Sequence, residues 1–460
     1  MKQVTTATVV AYCIPDFAKG IFGVMVSNYL LYFYQPSVES GIPTLITQGI
    51  IFFGVLTLIG FVKAIGHVID AFSDPLIANM SDKCKSRLGR RIPFLRWSAI
   101  PYAACTFLIF CAPTSRPSLL NNVWVSLFIW FYYLSYTFYM IPHTALLPEM
   151  VTDAKARVNA YTINSFMFVT GSAFGYMTPL FVSFAKKAGL SPVQAWRTVF
   201  FIYTLVGLVL LLIPAFTIKE TEYVHSVRPT QPLWPSLKRT FRNRHFRLIT
   251  CGQLLEGTSM AFFQSCIMYY VVTLLGLPET ASVVILGVSI AGSLLMYPLI
   301  SHLARKYGKR SLMLWGCAVF TVAQFIIFLF ADYPVSPWLK GIGLALFVSF
   351  PFAVLNILPG ALMADIIQYD TIQTGVNQEG VFSAARSFIT KMGQSLAMMI
   401  VPSLLIIGAV AGENVGRMGL KVTALVSGVF CIGSIVCFAM YNEKEVFSVI
   451  RSHETQGGAR

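Results

Sequence analysis

The sequence predicts an all-α membrane protein with twelve transmembrane helices in two six-helix halves. Three observations carry this. Hydrophobic residues make up 56% of the 460 residues and charged residues only 12%, against roughly 25% charged in a soluble globular chain. Apolar runs near the ~20 residues needed to cross the hydrocarbon recur twelve times. The longest polar stretch, 217–246, falls between the sixth and seventh runs. The same composition excludes a disordered, collagen-like or disulfide-scaffold protein.

The runs lie near 7–34, 44–75, 93–112, 122–147, 159–183, 196–216, 247–275, 279–303, 311–332, 337–365, 380–407 and 417–441. The N-terminus lacks a charged segment followed by a short apolar run and a small-residue cleavage site, so no cleaved signal peptide is expected. The nine cysteines include no CxxC and no Cys/His cluster, which indicates neither a metal site nor disulfides.

An even number of spans puts both termini on one side. Of the 34 Lys and Arg, twenty-two fall in the N-terminus, the tail and the loops of that side, and seven in the opposite loops. The positive-inside rule then sets both termini in the cytoplasm of the plasma (inner) membrane. The net charge of +15 is thereby topological, and no nucleic-acid partner is expected. The halves echo each other: SDKCKSRLGRR follows span 2 and SHLARKYGKR follows span 8. Two such halves joined by a basic loop match the parallel repeat of major facilitator transporters. The expected division is 1–216, a linker at 217–246, 247–441, and a tail at 442–460.

An ionisable group in hydrocarbon costs ~2.5–3.5 kcal/mol on the mildest scale, so it faces a partner or a polar cavity. Span 2 carries Lys63, His67, Asp70 and Asp74 at offsets that share one helix face. Asp70 and Asp74, one turn apart, can present oxygens to one cation or hold a proton; the alternative is that they brace a gate near the basic loop. Lys391, about eleven residues into span 11, is a counter-charge for them or a contact for an anionic solute. Asp16 and Lys19 in span 1 either neutralise each other or offer Asp16 to substrate hydroxyls. Tyr132, Tyr136, Tyr139 and His143 form a stripe on span 4, suited to sugar faces and equally to packing. Gln253 and Glu256 share a face of span 7, and Gly171 and Gly175 in span 5 read as a close-packing pair.

Four segments resemble one family, the glycoside–pentoside–hexuronide:cation symporters typified by melibiose permease. They are CIPDFAKGIFG (13–23), IDAFSDPLIANMSDKCKSRLGRR (69–91), IPHTALLPEM (141–150) and ADIIQYDTIQTGVNQEGVFSAARSFITKMGQS (364–395). The resemblance implies that Asp70 and Asp74 are cation-site carboxylates, Lys391 the nearby lysine, and Asp16 the sugar-binding acid of span 1. It also shows departures. The family's span 4 acid falls on Met140, its stacking Trp on Thr144, and its span 5 Arg on Asn164. One carboxylate fewer favours a proton, and His67 adds a group that titrates near neutrality.

The expected function is cation-coupled (Na+ or H+) symport of a glycoside, uronide or related sugar by alternating access. Its site would comprise Asp70 and Asp74 for the ion, Lys391 and His67 as counter-groups, and Asp16, Lys19, Tyr136, Thr144 and Asn164 for the solute. Partners are a small polar solute and the bilayer, with a monomer as the working unit. The alternative is a lysolipid or other amphiphile symporter, since vertebrate lysophospholipid symporters share several of these features. An integral membrane enzyme is disfavoured, as the spans hold no HExxH or GxSxG element; a channel is disfavoured because the charges form one compact set. No organic cofactor is expected, and no GxxxxGK[ST] loop for ATP is present.

Overall fold

The structure is a computed structural model in which residues 5–52, 56–151, 154–223, 240–374, 379–410 and 412–457 are described. Several helices start where a short polar side chain can accept an otherwise unpaired backbone N–H. Thr5, Thr57, Ser118, Ser191 and Asn243 all do so.

The helices are α1 (Thr6–Val24, continued to Tyr34), α2 (Leu58–Lys83), α3 (Ile92–Leu108), α4 (Leu119–Met150), α5 (Ala154–Tyr176, continued by Thr178–Lys187) and α6 (Pro192–Thr217). After a turn at Glu220–Tyr223 follow α7 (Arg244–Tyr269), α8 (Ala281–Tyr307), α9 (Lys309–Phe330), α10 (Pro337–Thr374), α11 (Glu379–Leu405), α12 (Arg417–Met440) and the tail helix α13 (Glu443–Gly457). Among the described residues nine helices are long and apolar enough to cross a membrane. The remaining three of the first twelve have physical reasons to fall outside that set. α3 is short at 17 residues, while α2 and α7 carry polar groups that lower their hydropathy, of which Lys63, Asp70, His245 and Glu256 are buried in the protein.

The second span differs from its sequence expectation. Of this apolar run, residues 44–52 and 56–57 are described and are not helical; they include a small antiparallel pair, Ile50–Phe52 with Leu56–Thr57, and Gly49 at φ 93°. The helix is displaced toward Lys83 because its polar groups bond to neighbouring helices and need no water. Asp70 and Asp74 therefore lie at mid-helix, well away from the basic loop. Most of the expected linker, residues 224–239, lies outside the described residues.

Packing repeats with a shift of six. α1 packs on α5 and α6, α2 on α4, and α3 on α4 and α6; α7 packs on α11 and α12, α8 on α10, and α9 on α10 and α12. The two echoed loops fold alike. Gly89 (φ 109°) and Gly308 (φ 87°) each lead into a helix whose first backbone N–H groups are capped by a later glutamate. Glu220, after α6, accepts from the N–H groups of Arg90, Arg91 and Ile92 at 2.7–3.0 Å. Glu443, after α12, accepts from those of Lys309 (2.8 Å) and Arg310 (3.2 Å). A Cβ on either glycine would strike that carboxylate. The first helix of each half also carries a π turn, Met25–Tyr29 within α1 and Tyr270–Leu274 directly after α7.

The α1–α5 contact is tight because glycines allow backbones to meet. A side chain at Gly20 would meet the backbone of Phe168 and Ser172, and one at Gly171 the backbone of Phe17. Outward-facing apolar side chains, Trp97, Val209, Leu295, Trp315, Leu346 and Ile432 among them, make the belt that hydrocarbon requires. The halves meet chiefly along α2 and α11, where Gly60 brings α2 against the carbonyls of Met398 and Met399.

Candidate functional site

At mid-height of that seam, α2 presents Asp70 and Asp74 one turn apart and α11 presents Lys391. The ammonium lies 2.8 Å from Asp70 Oδ2 and 2.5 Å from Asp74 Oδ2. Thr137 of α4 donates to Asp70 Oδ1 at 2.7 Å, and its Oγ1 is 3.1 Å from the Ser73 hydroxyl. Asp70 is only 3% exposed, while Asp74 is more open. Two carboxylates face one ammonium, a cluster one positive charge short of neutrality when all three are ionised. The missing charge is one that a proton, or a monovalent cation held by the carboxylate and Thr137 oxygens, would supply. Among the described residues no group of three or more His, Cys, Asp or Glu is gathered as for a transition metal.

The other ionisable groups of α2 turn elsewhere. His67 Nε2 is 2.9 Å from the Tyr133 hydroxyl, and the Tyr133 ring fits where Gly66 has no side chain. Lys63, 1% exposed, donates to the carbonyls of Val26 (3.2 Å) and Ser27 (3.5 Å) in the π turn of α1. Such a turn displaces carbonyls from regular helical bonding, so this lysine completes α1 and is not part of the carboxylate cluster.

A second polar set lines the first half between α1, α4 and α5. Asp16 is 2% exposed; its Oδ1 accepts from Lys19 Nζ at 3.5 Å. Its Oδ2 is 4.0 Å from His143 Nδ1 and has no hydrogen-bond partner. Tyr12 stacks on His143 at 4.3 Å and donates to its carbonyl. Cys13 Sγ bonds to the Ala160 carbonyl and Lys19 lies over the Phe168 ring, so α5 runs alongside this face of α1. Asn164 Oδ1 is also buried without a partner. Tyr136 packs on Tyr102 (5.7 Å) and Tyr132 (6.3 Å). Thr144 bonds its own helix at Met140 O (2.9 Å).

Sequence reasoning passed over two further groups. Thr137 follows Tyr136 in the aromatic stripe, and the polarity of its hydroxyl was the available signal. Arg386, one turn before Lys391, donates to Gln253 Oε1 at 3.0 Å, and Gln253 donates to the Pro359 carbonyl. Glu256 is buried on the same helix as Gln253.

At the end far from the termini the halves are tied together. Glu279 accepts from the Tyr32 hydroxyl (3.0 Å) and Lys186 (2.9 Å); Gln35 donates to the carbonyls of Pro402 and Asn414, both at 3.0 Å, and its own carbonyl accepts from Tyr269 at 2.8 Å. At the termini end the ion pairs among the described residues stay within a half: Arg91 with Asp82 and Glu149, and Lys309 with Asp365.

Two six-helix repeats, tied at one end over a charged set at mid-height, define a transporter of the major facilitator type. The chain belongs to the MFS/sugar transport protein family, whose profile matches residues 11–442. It is similar to an isoprimeverose transporter of Lactiplantibacillus pentosus, 24% identical over 88% of this chain and 81% of that protein. It is also similar to a putative glycoside/cation symporter of Escherichia coli K12, 24% identical over 95% and 91%. A glucuronide carrier protein homologue of the same strain is 24% identical over 86% and 82%. Among solved structures, the nucleoside transporter NupG matches with TM-score 0.65 at 11% identity over 95% of this chain and 99% of that one. A bacterial homologue of the lysosomal transporter Spinster, inward-facing and occupied, matches with TM-score 0.63 at 15% identity over 95% of each chain. These structural likenesses show the fold alone.

Proposed function

We propose that the protein is a cation-coupled symporter that carries a glycoside or uronide into the cell by alternating access. One observation carries the coupling: the carboxylates Asp70 and Asp74 stand in one half and their counter-ion Lys391 in the other. An ion pair across the seam is a tie between the halves. Unpaired charges there are costly, so a proton or Na+ that neutralises the carboxylates frees Lys391 and weakens the tie. His67, expected as a counter-group, is held by Tyr133 and stands beside the cluster, not in it. The fit to a proton or Na+ rests on the same oxygens.

The solute site in this reading is the α1–α4–α5 wall. Buried acceptors without donors are uncommon, and Asp16 Oδ2 on α1 and Asn164 Oδ1 on α5 are two in this half. Sugar hydroxyls supply the missing donors, with Lys19, Tyr136 and Thr144 at the margin. The names of the similar proteins, an isoprimeverose transporter and a glycoside/cation symporter, agree with such a solute. With both termini cytoplasmic, as the basic loops favour, the tied end faces outward and the solute path opens inward. Residues 1–216 and 247–441 act as the moving bodies of a monomer, joined by the linker 217–246 and followed by the tail 442–460. Turnover requires no organic cofactor and no covalent catalysis. Uptake by proteoliposomes, with labelled glycosides, uronides and lysolipids under separate Na+ and proton gradients, tests this; gradient-independent equilibration of every sugar would refute it.

A further inference from the structure

Away from the solute path, the second half holds a crevice of about 880 Å³ at the termini end of α8 and α10, roofed by the tail helix. Four charged side chains line it, and two of them are spent. Lys309 pairs with Asp365 at 2.6 Å, and the Glu443 carboxylate caps the α9 backbone. Arg305 and Lys444 are exposed and join no ion pair among the described residues. Ser301 and Ser448 add hydroxyls to the same walls. Tyr307 lines this crevice and also an adjoining groove of about 500 Å³ formed with Leu303, Leu312, Trp315 and Phe350. Trp315 is 66% exposed and lies on the lipid-facing side of α9.

We propose that crevice and groove together bind one anionic phospholipid, its headgroup phosphate between Arg305 and Lys444 and an acyl chain against Trp315. The two uncompensated cations sit at the membrane surface, where anionic lipid headgroups lie. A free phosphate would use the cations and leave the groove empty; a neutral lipid would use the groove and leave the cations unpaired. Only a ligand with both parts uses both. Because the roof is α13, the bound headgroup also fastens the tail to the bundle. The proposal does not depend on what the protein transports.

The test uses the full chain reconstituted in nanodiscs, with tryptophan quenching by bromine-labelled phosphatidylglycerol or phosphatidylcholine. Subtracting the Trp315→Phe variant isolates the Trp315 signal from the seven tryptophans, and Trp97, exposed on α3, provides the internal reference. Phosphatidylglycerol should quench Trp315 at about thirtyfold lower mole fraction than phosphatidylcholine, following from two basic contacts, with no such preference at Trp97. Arg305→Ala with Lys444→Ala should merge the two curves, and Arg305→Lys with Lys444→Arg should keep them apart. Unchanged phosphatidylcholine quenching in each variant shows that the fold is intact. Equal quenching by both lipids in the wild type, or a preference that survives the double alanine change, overturns the proposal. So does displacement of phosphatidylglycerol by glycerol phosphate at equal potency, which would mark a site for soluble anions.

Discussion

Lys391 serves two carboxylates at once, so removing it and removing one of them are different perturbations. Lys391→Ala leaves Asp70 and Asp74 facing each other without compensation, and an unpaired buried charge costs about 3–5 kcal/mol. Gradient-driven uptake and protein yield should both fall. Adding Asp70→Asn should restore yield relative to Lys391→Ala, with a coupling of about 0.5–3 kcal/mol in the double-mutant cycle; strictly additive losses would detach Lys391 from the carboxylates. Lys391→Arg should transport poorly, since a planar fork does not fit a seat made for a compact ammonium. This pairing could be read from sequence because a lone ammonium in an apolar span requires a carboxylate. The turn of Lys63 toward α1 could not. Its partners, the carbonyls of Val26 and Ser27, exist only because α1 contains a π turn, and no residue pattern in MVSNY announces one. Arg386 was unreadable for a related reason, as its partner Gln253 comes from another helix.

Between elements, glycine decides where helices meet. Gly171→Leu would drive a side chain into the backbone of Phe17, which cannot move without moving α1. Loss of folded, monodisperse protein is the expected result, whereas Gly257→Ala, with nothing within 4 Å of the added Cβ, should be tolerated. Normal yield from Gly171→Leu would contradict the packing described. The pair Gly171 and Gly175 was legible as a close-packing motif, but its partner Gly20 was hidden by the proximity of Asp16 and Lys19, which draw attention to charge. The start of α2 differs from the sequence expectation for a physical reason. Hydropathy rewards residues 44–57 and penalises Ser73, Asp74, Ser81 and Asp82, whereas the helix is chosen by partners: Ser73 and Asp70 reach Thr137, and Asp82 reaches Arg91.

For the molecule as a whole, the six-shifted packing and the paired glutamate caps explain why the two loops SDKCKSRLGRR and SHLARKYGKR look alike. Each is a tight turn between two helices of its half, held by its own Glu220 or Glu443. The far-end ties hold this conformation, and Glu279, in the turn before α8, reaches both α1 and α5 there. Glu279→Gln removes the charge that Lys186 meets at 2.9 Å, so the equilibrium should move toward the opposite opening. Site-directed labelling with an impermeant thiol reagent reads this, and the same reagent should reach Cys84 only from the cytoplasmic side. Labelling of Cys84 from outside intact cells would reverse the orientation.

The coupling role of Asp70 and Asp74 is tested most directly by solute-driven ion flux. Proteoliposomes holding a fluorescent pH or Na+ reporter are given the transported glycoside with no imposed gradient. The wild type should carry the ion inward with the solute, while Asp70→Asn and Asp74→Asn should still exchange labelled for unlabelled solute and move no ion. Undiminished ion influx in both variants would contradict the assignment and move the coupling site away from the α2–α11 seam.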